Sequence, residues 1–229
     1  MKHLGRFILR WSYLLLLASS SAYLIFQVVQ RTDWFRDRLY RQLVAGELGQ
    51  QKRAAVALAR LGAEPQLLLA LKADSSSTRE FAQRALEYVW FNAAGRQAFQ
   101  MTQDANAAAE QDNFDQALTL LDRVIKKHPE FAEAWNRRAS VYWQMGEYTR
   151  SMADCERTLR LNPNHYGAWQ GLGICQLELG QVAEACRSLR EALRIRPHDQ
   201  STGRSLRRCE ELLRIYPRPG PDRNTTLLI

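Results

Sequence analysis

Apolar residues recur three and four positions apart along most of the chain, the spacing that lays one hydrophobic stripe along an α-helix. Arg53–Leu61 and Pro65–Lys72 carry such stripes, and Gly62 marks a break between them. Ser77 and Glu80 form a capping-box pattern ahead of Phe81, Ala85, Leu86, Val89 and Trp90, which predicts another helix. Trp135, Arg138, Ala139 and Tyr142 share one helical stripe, Trp169, Leu172, Gly173 and Gln176 share a second, and Gln200–Ile215, with Leu206, Leu212 and Leu213, reads as a closing helix. The pattern predicts an all-α chain.

One segment departs from this amphipathic pattern. Trp11–Val29 holds no charged residue for 19 positions and follows Lys2, His3, Arg6 and Arg10. A helix of that length rises about 28 Å, close to the hydrocarbon thickness of a bilayer. Residues 1–31 are therefore expected to be an N-terminal membrane-directed helix that meets the membrane through residues 11–29. A cleaved signal peptide, with Ser20-Ser21-Ala22 as the cleavage site, is the rival reading. The apolar run continues through Tyr23–Val29, which favours an uncleaved single-pass anchor. A short N-terminal tail before a large domain places that domain on the exported side of the membrane.

The second half of the chain repeats itself with a period of 34: Pro129, Pro163 and Pro197; Trp135 and Trp169; Gly146 and Gly180; and the small residues Ala117, Ser151 and Ala185. Ala139 and Gly173 are small enough to let helix backbones approach closely, the two glycines suit a reversal between paired helices, and each proline stops a second helix. Arg138, where an apolar residue is expected, and Gln176, where an aromatic is, weaken the packing locally.

These segments resemble the tetratricopeptide repeat, most closely at 132–165 and 166–199. A looser copy at 98–131 keeps Phe114, Ala117 and Pro129 but has Met101 in place of Trp and Asp112 in place of Gly. The resemblance implies a short α-solenoid over 98–215, with a cap at 200–215, a helical neck at 32–97 and a flexible tail at 216–229. It also implies a concave groove for a protein or peptide partner, lined by Asn106, Glu133, Asn136, Arg137, Ser140, Trp143, Gln170, Ile174 and Leu177. The chaperone-binding subclass carries a carboxylate clamp whose positions match Thr102, Asn106, Arg137, Gly167 and Gly171. Only Asn106 agrees with that clamp, which argues against binding to chaperone C-terminal tails.

Charge and chemistry narrow the function further. The net charge of +8 divides into +7 over residues 1–97, −2 over 98–199 and +3 over 200–229, so the repeats are slightly acidic and a nucleic-acid partner is disfavoured. The four His have no metal-ligand spacing, and the chain contains no phosphate-binding loop or nucleophile elbow, so neither enzymatic activity, catalytic residue, metal nor cofactor is expected. Cys155, Cys175, Cys186 and Cys209 read as buried thiols, and export would permit a bridge such as Cys155–Cys175. The expectation is a membrane-anchored, non-enzymatic adapter. The alternatives are a self-assembling (homo-oligomeric) structural protein at the membrane, or binding of anionic lipid through the basic flanks.

Overall fold

The structure is a computed structural model that describes residues 32–215. Every regular element within these residues is an α-helix: α1 Asp33–Ala45, α2 Leu48–Arg60, α3 Glu64–Ala70, α4 Ser76–Asn92, α5 Gly95–Glu110, α6 Phe114–Lys127, α7 Ala132–Gln144, α8 Tyr148–Leu161, α9 Tyr166–Glu178, α10 Val182–Ile195 and α11 Gln200–Ile215. The chain divides into two compact units, Met1–Val89 and Trp90–Ile229.

In the first unit, Leu43, Leu58, Leu67, Leu71 and Leu86 are fully buried among small residues such as Ala54, Ala63 and Ala82. A polar chain ties its helices together. The Ser77 hydroxyl donates to Gln51 Oε1 at 2.8 Å, Gln51 Nε2 donates to Thr78 Oγ1 at 3.3 Å, and the Thr78 hydroxyl donates to the Leu43 carbonyl at 3.2 Å. Ser77 is therefore not the cap expected of it. Helix α4 has already begun at Ser76, and the Thr78 amide turns to Ser75 Oγ. A reciprocal capping box is formed instead by Glu47 and Gln50 at the start of α2. Gly62, with φ +59°, makes the predicted break between α2 and α3.

The second unit pairs α5 with α6, α7 with α8 and α9 with α10, and lays α11 over the last pair. The 34-residue period is visible in individual bonds. Trp135 Nε1 donates to the Pro129 carbonyl and Trp169 Nε1 to the Pro163 carbonyl, both at 2.9 Å. At the crossing of α9 and α10, a Cβ added to Gly173 would lie 2.7 Å from Leu189 Cγ, so any side chain there would force Leu189 to move. A disulfide joins Cys186 on α10 to Cys209 on α11, with Cα atoms 5.8 Å apart, whereas Cys155 and Cys175 are buried free thiols. Cys155 and Cys175 are the buried thiols expected of them, with Cys175 donating to Ser151 Oγ, whereas Cys186 and Cys209, also expected as thiols, are bridged because α10 and α11 bring them together.

Arg138 does not weaken the stack as expected; it ties three helices. Its Nε and Nη2 grip Asp154 of α8 at 2.7 and 2.8 Å, and Nη1 reaches Asp122 of α6 at 2.6 Å. Its guanidinium also lies over the Trp135 and Tyr142 rings. One period later Arg138, Tyr142 and Asp154 become Leu172, Gln176 and Ser188. Gln176 is held by the Ser188 hydroxyl at 2.7 Å, so the polar partners change together.

The anchor expected over 1–31, with its span at 11–29, and the tail expected over 216–229 lie outside the described residues. No helix among the described residues is long and apolar enough to cross a membrane. The longest, α4, has 17 residues and carries Arg79, Glu80, Arg84 and Glu87, so its charge rules it out as a span. The placement as a single-pass membrane protein with an exported repeat domain is overturned on this finding.

Two measurements follow from the packing. Asp112 takes φ +58° at the turn where the later repeats place Gly146 and Gly180, so Asp112→Gly relieves a left-handed strain. Chemical denaturation should show a gain of about 1 kcal/mol. Asp154 is 5% exposed, and Asp154→Ala strands a mostly buried guanidinium. The same assay should show a loss of about 3 kcal/mol.

Candidate functional site

Helices α7 and α9 are the first helices of adjacent repeats, and their facing sides form a pocket of about 230 Å³. Asn136, Ser140 and Trp143 come from α7, and Gln170 and Ile174 from α9, so five of the nine groove residues named from the sequence share one cavity. Gly167 and Gly171 complete the α9 wall. With no side chain there, the pocket reaches down to Cys155, whose Sγ lies 3.2 Å from where a Gly171 Cβ would be. Trp143 is 46% exposed at the rim and offers an apolar face to solvent.

No charged residue lines this pocket. The Ser140 hydroxyl donates to the Asn136 carbonyl of its own helix at 3.1 Å. The side-chain amides of Asn136 and Gln170 have no hydrogen-bond partner among the described residues, and each offers both a donor and an acceptor. Burial pushes the Cys155 thiol up to about 12, with the neighbouring Cys175 adding to the shift. Cys155 is therefore a neutral thiol near pH 7 and unsuited to nucleophilic attack. Among the described residues no group of three or more His, Cys, Asp or Glu could hold a metal ion.

The remaining four groove candidates lie elsewhere. Asn106 is half-buried on α5 and does not line the pocket. Leu177 packs against the cluster of Ala185, Cys186, Leu189 and Cys209. Glu133 is 3% exposed and spends its carboxylate inside the protein, accepting from Arg137 Nε at 2.6 Å and from His165 Nε2 at 3.0 Å. His165 Nδ1 accepts from the Ala168 amide at 3.1 Å as the N-cap of α9, which leaves Nε2 to carry the proton toward Glu133.

Aromatic residues from the end of α4 cover this ionic cluster. The Trp90 ring stacks on His165 with centroids 4.7 Å apart, and Arg137 sits 4.7 Å over Phe91. His165 reads from the sequence as a plain loop residue beside a proline, and nothing in the spacing of Trp90 and Phe91 connects them to it. The signal that could have found the cluster is Glu133 itself: a carboxylate in the first turn of α7, four residues before Arg137.

Burial alone would raise the Glu133 carboxyl, but the His165 hydrogen bond and the Arg137 charge hold it below its ordinary value of 4.5. A carboxylate lowered on folding stabilises the fold above its unfolded value and loses that contribution as pH falls through the lower folded value. Thermal melts should therefore show the protein losing stability below pH 4.5. Glu133→Gln should be less stable at neutral pH, by about 3 kcal/mol, and should show a flatter acid limb.

Comparison with known proteins agrees with this architecture. Two descriptions of the tetratricopeptide repeat match the chain, at residues 103–165 and 142–208. A TPR repeat-containing protein of Rhizobium etli is 43% identical over 54 residues, 24% of this chain, and the chain spans about a quarter (26%) of that relative's length. Among solved structures, the first TPR of Spaghetti (RPAP3) bound to an HSP90 peptide is similar with a TM-score of 0.50 at 20% identity, over 51% of this chain and 93% of that one. The Sgt2 TPR domain from Aspergillus fumigatus is similar with a TM-score of 0.51 at 16% identity, over 55% and 84% of the two chains. At these identities the structural likeness speaks to fold alone. With the period, the helix pairs and the repeated Trp–Pro bonds, these matches identify residues 103–208 as tetratricopeptide repeats.

Proposed function

We propose that this chain is a non-catalytic adapter whose repeat domain, residues 98–215, holds a peptide segment of a protein partner between α7 and α9, with residues 32–97 as a helical neck. The observation that supports it is the uncharged pocket in which Asn136 and Gln170 carry unpartnered amides beside the exposed face of Trp143. Two such amides match the alternating donors and acceptors of an extended peptide backbone, and Trp143 covers a side chain of the guest. The bare surface at Gly167 and Gly171 lets that backbone come close to α9.

The absence of charge sets the kind of guest. Gly167 and Gly171 stand where the chaperone-binding subclass has cations, and Arg137 is already occupied by Glu133 and Phe91. An acidic C-terminal tail would lose its water here without gaining a cation in return. The partner segment is therefore uncharged where it enters the pocket and contributes an aliphatic or small side chain.

The test is site-specific photo-crosslinking in the native cell, with the crosslinker at exposed Ser140 and the captured segment identified by mass spectrometry. An uncharged segment of one protein is expected. Capture should fall about tenfold in an Asn136→Ala/Trp143→Ala variant with an unchanged melting curve. Undiminished capture would place the contact away from this pocket and end the reading.

A further inference from the structure

We propose that the first unit carries a second docking site, a trough between α2 and α4 that receives an acidic amphipathic helix of a partner protein. This goes beyond the repeat-domain reading and uses none of its residues. The trough encloses about 300 Å³. Its floor is cut by the small residues Ala55, Ala59 and Ala85, each under a tenth exposed. Phe81 stands in its wall, and Val56 and Tyr88, 44% and 55% exposed, present apolar surface to solvent.

The rim is cationic. Lys52 and Arg60 bracket Val56 one helical turn to either side on α2, about 12 Å apart along the helix. Arg84 stands on α4 between Phe81 and Tyr88. No carboxylate lines the trough. Outside it, Glu80 pairs with Arg84 at 2.6 Å, both side chains being well exposed, and so leaves the α2 rim unbalanced. Single exposed apolar residues need no explanation, but here they converge in a concavity set between cations. That arrangement fits a helix whose apolar residues at i, i+4 and i+7 enter the trough while its flanking carboxylates meet Lys52 and Arg60. The capacity lies at the small end of ligand sites, which suits two or three inserted side chains better than a large cofactor.

The probe is a fluorescein-labelled designed helix of about 15 residues, with Leu at i, i+4, i+7 and i+11 and Glu at the flanking positions, read by fluorescence polarisation against the full chain. Its twin carries Lys in place of every Glu. The acidic peptide is expected to bind at least about tenfold more tightly than its twin and to weaken as salt is raised. Lys52→Glu/Arg60→Glu changes only exposed side chains. With an unchanged melt it should cost at least about tenfold in affinity, whereas Asn136→Ala/Trp143→Ala should bind as the unaltered protein does. Equal binding of the two peptides, an unaffected charge-reversed variant, or no binding of the acidic peptide would each overturn the site. Co-sedimentation with phosphatidylglycerol vesicles that Lys52→Glu/Arg60→Glu abolishes, with no peptide binding, would assign the cations to a lipid surface and overturn it equally.

Discussion

The second unit depends on the close approach of consecutive helices at a single small residue in each repeat. A Cβ at Gly173 would sit inside Leu189, and its counterpart Ala139 places its carbonyl where the buried Ser151 hydroxyl can donate to it at 2.8 Å. When backbones cross that closely, bulky neighbours have to interlock around the crossing, and the chain has to reverse tightly between paired helices. The left-handed turns at Asp112, Gly146 and Gly180 and the proline stops then follow at a fixed interval. The period is a mechanical consequence of stacking one helix pair on the next.

Such a stack tolerates polar substitutions when their partners change with them. Arg138 is accommodated because Asp122 and Asp154 come from helices on either side of it and satisfy its guanidinium. Where the third repeat has Leu172, the same places hold Gln176 and Ser188, bonded to each other. Each repeat solves the burial of this layer separately, by an ion network or by a neutral hydrogen bond. What is not allowed is a mixture that leaves a buried donor or acceptor unpaired.

The same satisfaction rule divides the face that the first helices present. Toward the start of α7 and α9, Glu133, Arg137 and His165 satisfy one another beneath Trp90 and Phe91, and little polarity is left to offer a guest. On the neighbouring stripe of the same two helices, Gly167 and Gly171 remove side chains altogether, and Asn136 and Gln170 line the open pocket. A uniform groove thus becomes a closed ionic cluster beside an open neutral pocket. On the proposed reading, recognition in the open part rests on backbone geometry and shape more than on charge.

The sequence by itself determined what is local or periodic: the helices, the break at Gly62, the turns at Gly146 and Gly180, the 34-residue family pattern, and the placing of Asn136, Ser140, Trp143, Gln170 and Ile174 on facing sides of first helices. Those properties depend on spacing within one repeat, and spacing can be read from letters. Tertiary structure alone decided the rest. Ser77 looked like a cap and became a partner of Gln51, 26 residues away. Arg138 looked like a packing fault and became a tie between helices. Glu133 looked like a groove residue and was consumed by His165, 32 residues on. Cys186 and Cys209 looked like separate buried thiols and became partners, 23 residues apart. In each case the outcome depends on which partner reaches a polar or reactive group first in three dimensions, and a linear spacing carries no record of that.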